Sequence, residues 1–256
     1  MTALTLAAAL GAVLGLAACT GGAASTPSSP AASGPALPTT PASAAQRLSE
    51  TGSSLMAPLF AVWGPAYHTQ FSQVNISTAS SSSGTGITSA AAGTTDMGAS
   101  DAYLSPADVT KYTNLVNIPL AVAALVVIYH VPGVSPAEHL KLNGTVLARI
   151  FAGQVTTWND PAIKNLNPGV TLPGTAIVLV HRADTSGSTF LFTSYLNAQD
   201  PAGWSSSLIG TTVAWPQQPG EKGATGSSGV IGDVHDTPGA IGYVGVSYLS
   251  TVTKDR

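Results

Sequence analysis

Two rhythms of apolar residues alternate along this chain. Residues 57–67, 86–92, 144–151 and 190–196 place apolar side chains at helical spacing, whereas 115–131 and 176–180 are apolar runs of strand type. This alternation of strand and helix predicts an α/β fold rather than a sandwich. The run 120–131 is short for a bilayer span, starts after Pro119 and stops at Pro132, so it reads as a buried strand. Ser- and Gly-rich turns separate the runs, and one of them stands out. His181-Arg182-Ala183-Asp184-Thr185-Ser186-Gly187-Ser188-Thr189-Phe190 follows the strand at 176–180 and enters the helix at 190–196. Such a turn gathers unpaired backbone N–H groups, hydroxyls and one guanidinium at a helix start, a donor set suited to a tetrahedral oxyanion.

Three other turns have a similar make-up. Thr51-Gly52-Ser53-Ser54-Leu55-Met56-Ala57-Pro58-Leu59 puts a Pro in a first helical turn, with Ser53 or Ser54 near the N-cap and Trp63 and Tyr67 on the apolar face of the helix. Ser80-Ser81-Ser82-Ser83-Gly84-Thr85-Gly86-Ile87 precedes a short helix, and Asp96-Met97-Gly98-Ala99-Ser100-Asp101 reads as a strand end and a turn. A lone Ser-Gly turn ordinarily does no more than cap a helix. Their recurrence beside the Arg-containing turn points to a shared purpose.

Composition narrows that purpose. Only 8% of residues are charged and 44% are hydrophobic, which describes an exported globular protein better than a disordered or cytosolic one. The net charge is −3 and the nine Lys and Arg residues are scattered, so there is no basic stripe for nucleic acid. An anion site here must be local, built from dipoles and one Arg. The five histidines are too dispersed for a metal site, and no cofactor is expected.

Residues 1–18 read as an export signal that ends in Leu16-Ala17-Ala18 before Cys19. Leu-Ala-Ala-Cys resembles the bacterial lipobox, which implies cleavage before Cys19 and a diacylglycerol on its sulfur, with acylation (a palmitate, for example) of the freed amine. The n-region lacks Lys and Arg. Cys19 is the only cysteine, so the mature domain has no disulfide and relies on its core. Residues 19–45 form a Ser/Pro/Ala-rich spacer with too little apolar surface to fold. The folded part is expected at 46–256, roughly 210 residues, enough for two lobes or one large α/β domain.

Together the turns resemble those of a known family, the phosphate-binding proteins of bacterial phosphate ABC transporters. Thr51-Gly52-Ser53-Ser54-Leu55-Met56-Ala57-Pro58 is similar to its Gly-Ala-Gly-Ala-Thr-Phe-Pro-Ala-Pro start, and Ser82-Ser83-Gly84-Thr85-Gly86-Ile87 to its Gly-Ser-Gly-x-Gly loop. Asp96-Met97-Gly98-Ala99-Ser100-Asp101 resembles Asp-Phe-Gly-Ala-Ser-Asp, and Arg182-Ala183-Asp184-Thr185-Ser186-Gly187-Ser188 resembles Arg-Ala-Asp-Gly-Ser-Gly-Thr. Phe192-Thr193-Ser194-Tyr195-Leu196, Trp215-Pro216 and Pro238-Gly239-Ala240-Ile241-Gly242-Tyr243-Val244 also match, so the likeness runs from about residue 51 to 248.

The resemblance implies a two-lobed periplasmic-binding-protein-like (type II) fold, with lobe 1 at about 46–120, lobe 2 at about 121–256, and phosphate held in the cleft. It implies that Ser54 and Ser83 give hydroxyls, Leu55 a backbone N–H (in place of the family's Phe) and Asp101 an acceptor. From the other lobe Arg182 would give its guanidinium, Ser186 and Ser188 hydroxyls and Gly187 an N–H, with Asp184 steadying Arg182. It further implies a non-enzymatic lipid-anchored solute-binding protein on the extracytoplasmic face of the membrane, with an ABC permease and ATPase complex as partners. Ser227 stands where the family has Asn. The family also continues past this chain's end and returns to lobe 1, so the chain is a shortened variant or a truncated product.

The residues carry this chemistry without the family. An Arg fork matches two oxygens of a tetrahedral anion. An ionised Asp101 only accepts hydrogen bonds, so it requires a ligand that keeps a proton, as hydrogen phosphate does and sulfate does not. Such a site can reject the analogue lacking the proton by about 10⁴-fold. Blander readings remain for each residue: Asp101 as N-cap of a helix after Leu104, Arg182 in a surface ion pair with Asp184, Ser83 in a flexible linker. A serine-dependent phosphatase or hydrolase is the alternative class, although the chain has no Gly-x-Ser-x-Gly elbow and no evident base. A binding protein for another oxyanion is a further alternative, and Asp101 argues against it.

Overall fold

The computed structural model describes residues 44–135 and 137–254. The export signal, Cys19 and the spacer up to residue 43 lie outside the described residues. Strand β1 (Gln46–Gly52) leads to α1 (Ala57–Gln70), β2 (Val74–Ser80), α2 (Ser83–Ala91), β3 (Met97–Ala99) and α3 (Pro106–Lys111). Strand β4 (Leu125–Tyr129) then opens a second set: α4 (Gly144–Phe151), α5 (Pro161–Lys164), β5 (Val178–Arg182), α6 (Gly187–Gln199), β6 (Lys222–Ala224), α7 (Gly226–Asp236), β7 (Ala240–Gly245) and α8 (Leu249–Lys254). The strands form two sheets. One is parallel, in the order β2-β1-β3; the other runs β4-β7-β5-β6, with β4 antiparallel to β7 and the rest parallel. The α/β expectation holds.

The larger apolar core covers one face of the four-stranded sheet and includes Phe151 of α4, Phe192 and Leu196 of α6, Tyr243 of β7, and Trp158 and Trp204 from connecting segments. A smaller one, with Val180, Val230, Val234 and Val244, fills the other face under α7. Neither draws on the three-stranded sheet. Among the described residues, exposed apolar side chains include Val62 and Trp63 on α1 and Val116, Ile118 and Val122 ahead of β4.

Several local expectations shift. The helix at residues 144–151 has the bounds its spacing gave, and Asn143 caps it by accepting the Val146 N–H at 2.8 Å. The strand at 176–180 runs instead from Val178 to Arg182, because Ala176 makes only an isolated bridge to Thr157 while the far end gains β6 as a partner. The run 120–131 is a strand only over Leu125–Tyr129. Its partner β7 ends at Gly245, the last rung is Val246 N–H to Ala124 C=O, and residues 116–124 are exposed. On α1 the buried residues are Phe60 and Gly64, the latter close to Ile76 of β2, while Trp63 and Tyr67 are exposed. The N-cap of α1 is Met56, with no side-chain cap, so neither Ser53 nor Ser54 serves as one.

Candidate functional site

Four loop-to-helix junctions bring the polar residues together. Strand β1 ends at Gly52, whose φ of +146° and lack of a Cβ let it lie against Ala99, the end of β3; a Cβ there would sit 2.1 Å from the Ala99 carbonyl oxygen. The junctions β1–α1 and β3–α3 are thereby placed side by side. Ser53, Ser54 and Leu55 come from the first, and Asp101 from the second. Ser83 opens α2, where Ser82 is the N-cap and accepts the Thr85 N–H at 3.1 Å. From the other sheet, Arg182 ends β5 and Ser186 caps α6, with Gly187 and Ser188 as its first two residues.

These residues are buried, Asp101 in part, and bonded to one another across the sheets. The Ser188 hydroxyl donates to Asp101 Oδ2 at 2.9 Å, and Ser53 donates to Asp101 Oδ1. The Gly187 N–H donates to Ser83 Oγ at 3.0 Å. Arg182 Nη1 donates to Ser54 Oγ at 3.1 Å, while its Nε donates to Asp184 Oδ1 at 2.6 Å and Nη2 to Asp184 Oδ2. One main-chain bond, Gly84 N–H to Thr185 C=O at 3.0 Å, adds to the clasp. Gly187 is required by the closeness of this approach, since a Cβ on it would lie 2.6 Å from the Ala102 nitrogen and 2.7 Å from Asp101 Cβ.

Asp101 caps no helix, because Ser105 and Asp108 form the capping box of α3. The Arg182–Asp184 pair exists, but the Arg182 side chain is only 3% exposed, so it is a buried pair. Ser83 belongs to a helix and is 1% exposed. Ser186 uses its hydroxyl oxygen to accept the Thr189 N–H at 3.3 Å, and the Leu55 N–H is held by Ser53 Oγ at 3.1 Å.

Burial dominates the electrostatics of Asp101 and pushes its carboxyl above the ordinary range, against the hydroxyls of Ser53 and Ser188 and the charge of Arg182. Burial is also the largest single influence on Asp184 and acts upward. There the Arg182 fork, its charge and backbone N–H donors together prevail and hold the group below the ordinary range. Thus the guanidinium is neutralised on one side by a carboxylate, while Nη1 turns toward the serines.

Four neighbours were not singled out from sequence as site residues. Ser53 sits in the quoted motif, one residue before Ser54. Ser227 N–H donates to Ser54 Oγ at 3.1 Å and the two hydroxyls lie 2.9 Å apart. Its departure from the usual Asn was the only signal. Tyr248 donates to the Ser54 carbonyl at 2.7 Å, and Tyr243 meets the Arg182 N–H at 3.3 Å. A recess of roughly 330 Å³ opens beside the cluster, lined by Ser54, Ser81, Ser82, Thr85, Asp184 and Ser227 among others. Among the described residues no group of three or more His, Cys, Asp or Glu could hold a metal ion, and no helix is long and apolar enough to cross a membrane.

The PBP superfamily domain matches residues 38–256. The phosphate-binding protein PstS of Xylella fastidiosa is 38% identical over 215 residues, covering 82% of this chain and 57% of that protein. PstS of Pasteurella multocida is 38% identical over 180 residues, covering 70% of this chain and 51% of its own length. The chain therefore spans little more than half the length of these curated relatives. Among solved structures, a candidate phosphate ABC transporter substrate-binding protein from Clostridium perfringens with bound phosphate shares the fold, at TM-score 0.62 and 23% identity over 80% of this chain and 73% of that one.

Proposed function

Because the chain belongs to the PBP superfamily, we propose that it binds inorganic phosphate, as hydrogen phosphate, between the loops of its two sheets and delivers it to an ABC permease. The observation that carries this reading is the direct joining of Ser188 to Asp101 and of Arg182 to Ser54, which gathers donors from both sheets and one carboxylate in a single buried cluster. Phosphate entering there exchanges the bonds the cluster makes with itself for bonds to its oxygens. Arg182 Nη1 and the N–H groups of Gly187 and Leu55 become donors to it, and the hydroxyls of Ser54, Ser83, Ser186 and Ser188 rotate onto it. The N-termini of α2 and α6 add their positive ends, which matters because Asp184 already offsets the Arg182 charge.

Asp101 is the selective element. As a carboxylate it accepts a hydrogen bond from the ligand's remaining O–H, and a fully deprotonated oxyanion such as sulfate faces it acceptor to acceptor. Residues 46–120 and 121–256 then act as two lobes that close on the ion. Cys19 carries the lipid that holds the protein at the extracytoplasmic face of the membrane, and residues 19–45 are the tether. The role is capture without catalysis, in keeping with the phosphate-binding relatives.

Isothermal calorimetry of the full chain with inorganic phosphate and with sulfate at neutral pH tests the reading. Binding of one phosphate per chain is expected, with sulfate weaker by about 10⁴-fold. Absence of phosphate binding, or equal affinity for sulfate, overturns it.

A further inference from the structure

The pairing of β5 with β7 stops too early to hold Arg182. Its last register pair is Leu179 with Ile241, three residues short of the guanidinium. On the other side β6 pairs as far as Arg182 with Ala224, and the Ala183 N–H is taken by the Ala224 carbonyl at 3.0 Å. The Arg182 N–H points the opposite way, toward β7, where the Tyr243 hydroxyl accepts it at 3.3 Å. The same hydroxyl lies 2.7 Å from Thr189 Oγ1, and either can be the donor. Thr189 is the third residue of α6, directly after Gly187 and Ser188.

One phenol oxygen therefore ties the end of the strand that carries the guanidinium to the first turn of the helix that carries Ser186, Gly187 and Ser188. Its ring has little freedom, being 1% exposed and stacked on Phe192 of α6 with centroids 4.4 Å apart and planes 17° apart. We propose that Tyr243 is a positioning residue for the anion site: it sets the offset between the Arg182 guanidinium and the α6 N-terminus so that both reach the same oxyanion. This rests on the oxyanion reading of the cluster. Tyr243 touches no ligand and acts through Arg182 and Thr189. Burial pushes its phenol up to about 12, so the hydroxyl keeps its proton at physiological pH.

The test is Tyr243→Phe, which removes the oxygen and keeps the stacked ring. The expected result is an inorganic phosphate Kd about tenfold higher by calorimetry on the full chain. A Kd within twofold of the parent overturns the proposal. Phe192→Leu disturbs the same buried stack without touching the bridge, and is expected to lower the melting temperature while leaving Kd within about twofold. A general structural role makes the two variants behave alike in affinity. The loss caused by Tyr243→Phe should also shrink in an Arg182→Lys background; an undiminished loss there contradicts action through Arg182. If Tyr243→Phe does not fold, Thr189→Val, which breaks one arm of the bridge, is expected to weaken phosphate in the same direction, and no change overturns the proposal. If the parent itself binds no phosphate, the functional reading fails, and the bridge is judged by hydrogen exchange at the Arg182 main-chain N–H by NMR. Exchange about tenfold faster in Tyr243→Phe supports the bridge, and an unchanged rate overturns it.

Discussion

Gly187→Ala probes the closeness of the two sheets' loops with a single methyl group. Its Cβ would stand 2.6 Å from the Ala102 nitrogen and 2.7 Å from both Asp101 Cβ and Ser83 Oγ, where ordinary contact begins near 3.4 Å. Ser83 can rotate away; the Ala102 backbone and Asp101 Cβ cannot. The loops must therefore part by roughly 0.8 Å, which stretches the Gly187–Ser83 and Ser188–Asp101 bonds together. Overpacking of this kind costs about 1–3 kcal/mol, equivalent to roughly 5- to 150-fold in affinity. The strain falls on the approach of the loops rather than on either apolar core, so thermal stability should fall much less than binding. Calorimetry with inorganic phosphate, paired with a melting curve, measures both. A variant whose phosphate Kd matches the parent's would refute the claim that the ligand sits where these loops meet.

Arg182→Lys keeps the charge but cannot span Asp184 and Ser54 at once, so two of three charge-assisted bonds are lost and phosphate affinity should drop on the order of 100-fold; equal binding would remove the fork from the site. Phe151→Ala removes a fully buried ring that contacts Phe192, Trp215 and Tyr243 and should cost about 3–5 kcal/mol in denaturant unfolding. Glu50, 5% exposed, has its carboxyl pushed up to about 7 by burial, with a backbone hydrogen bond from Ala79 acting the other way. The folded state thus binds more protons than the unfolded state between the usual value of 4.5 and about 7. The stability this group contributes is complete below that window and is lost as pH rises through it, by up to about 3 kcal/mol. Glu50→Gln should flatten that fall in denaturant midpoints measured from pH 4.5 to 8, and an unchanged slope would exclude Glu50 as its source.

Features set by local chemistry were legible in the chain, and those set by distant partners were not. Residues 144–151 alternate strongly enough, behind an Asn cap, to fix both helix ends. Helix α6 begins three residues before the apolar rhythm shows it, because Gly187, Ser188 and Thr189 carry no large apolar side chain to mark the period. The run 120–131 looked buried throughout, yet the burial of a strand depends on the length of its partner, and β7 supplies six residues. On α1 apolar residues fall on all sides, so nothing in the pattern says that Phe60 rather than Trp63 turns inward. The candidate site was readable as motifs because Ser, Gly, Asp and Arg recur in short turns, the residue types that an oxyanion site would need. The meeting of Ser54 with Ser227, 173 positions away, is a product of the whole fold. So is the bridging place of Tyr243, which exists only because the β5–β7 ladder ends where it does.

The decisive measurement is a crystal structure of the chain with inorganic phosphate. It should show a single ion touched by the Arg182 guanidinium, the Gly187 N–H and Ser188 from one sheet and by Ser54, Ser83 and Asp101 from the other. Phosphate bound elsewhere, for instance against the recess at Ser81 and Thr85 alone, or held by one sheet's residues only, would contradict the account.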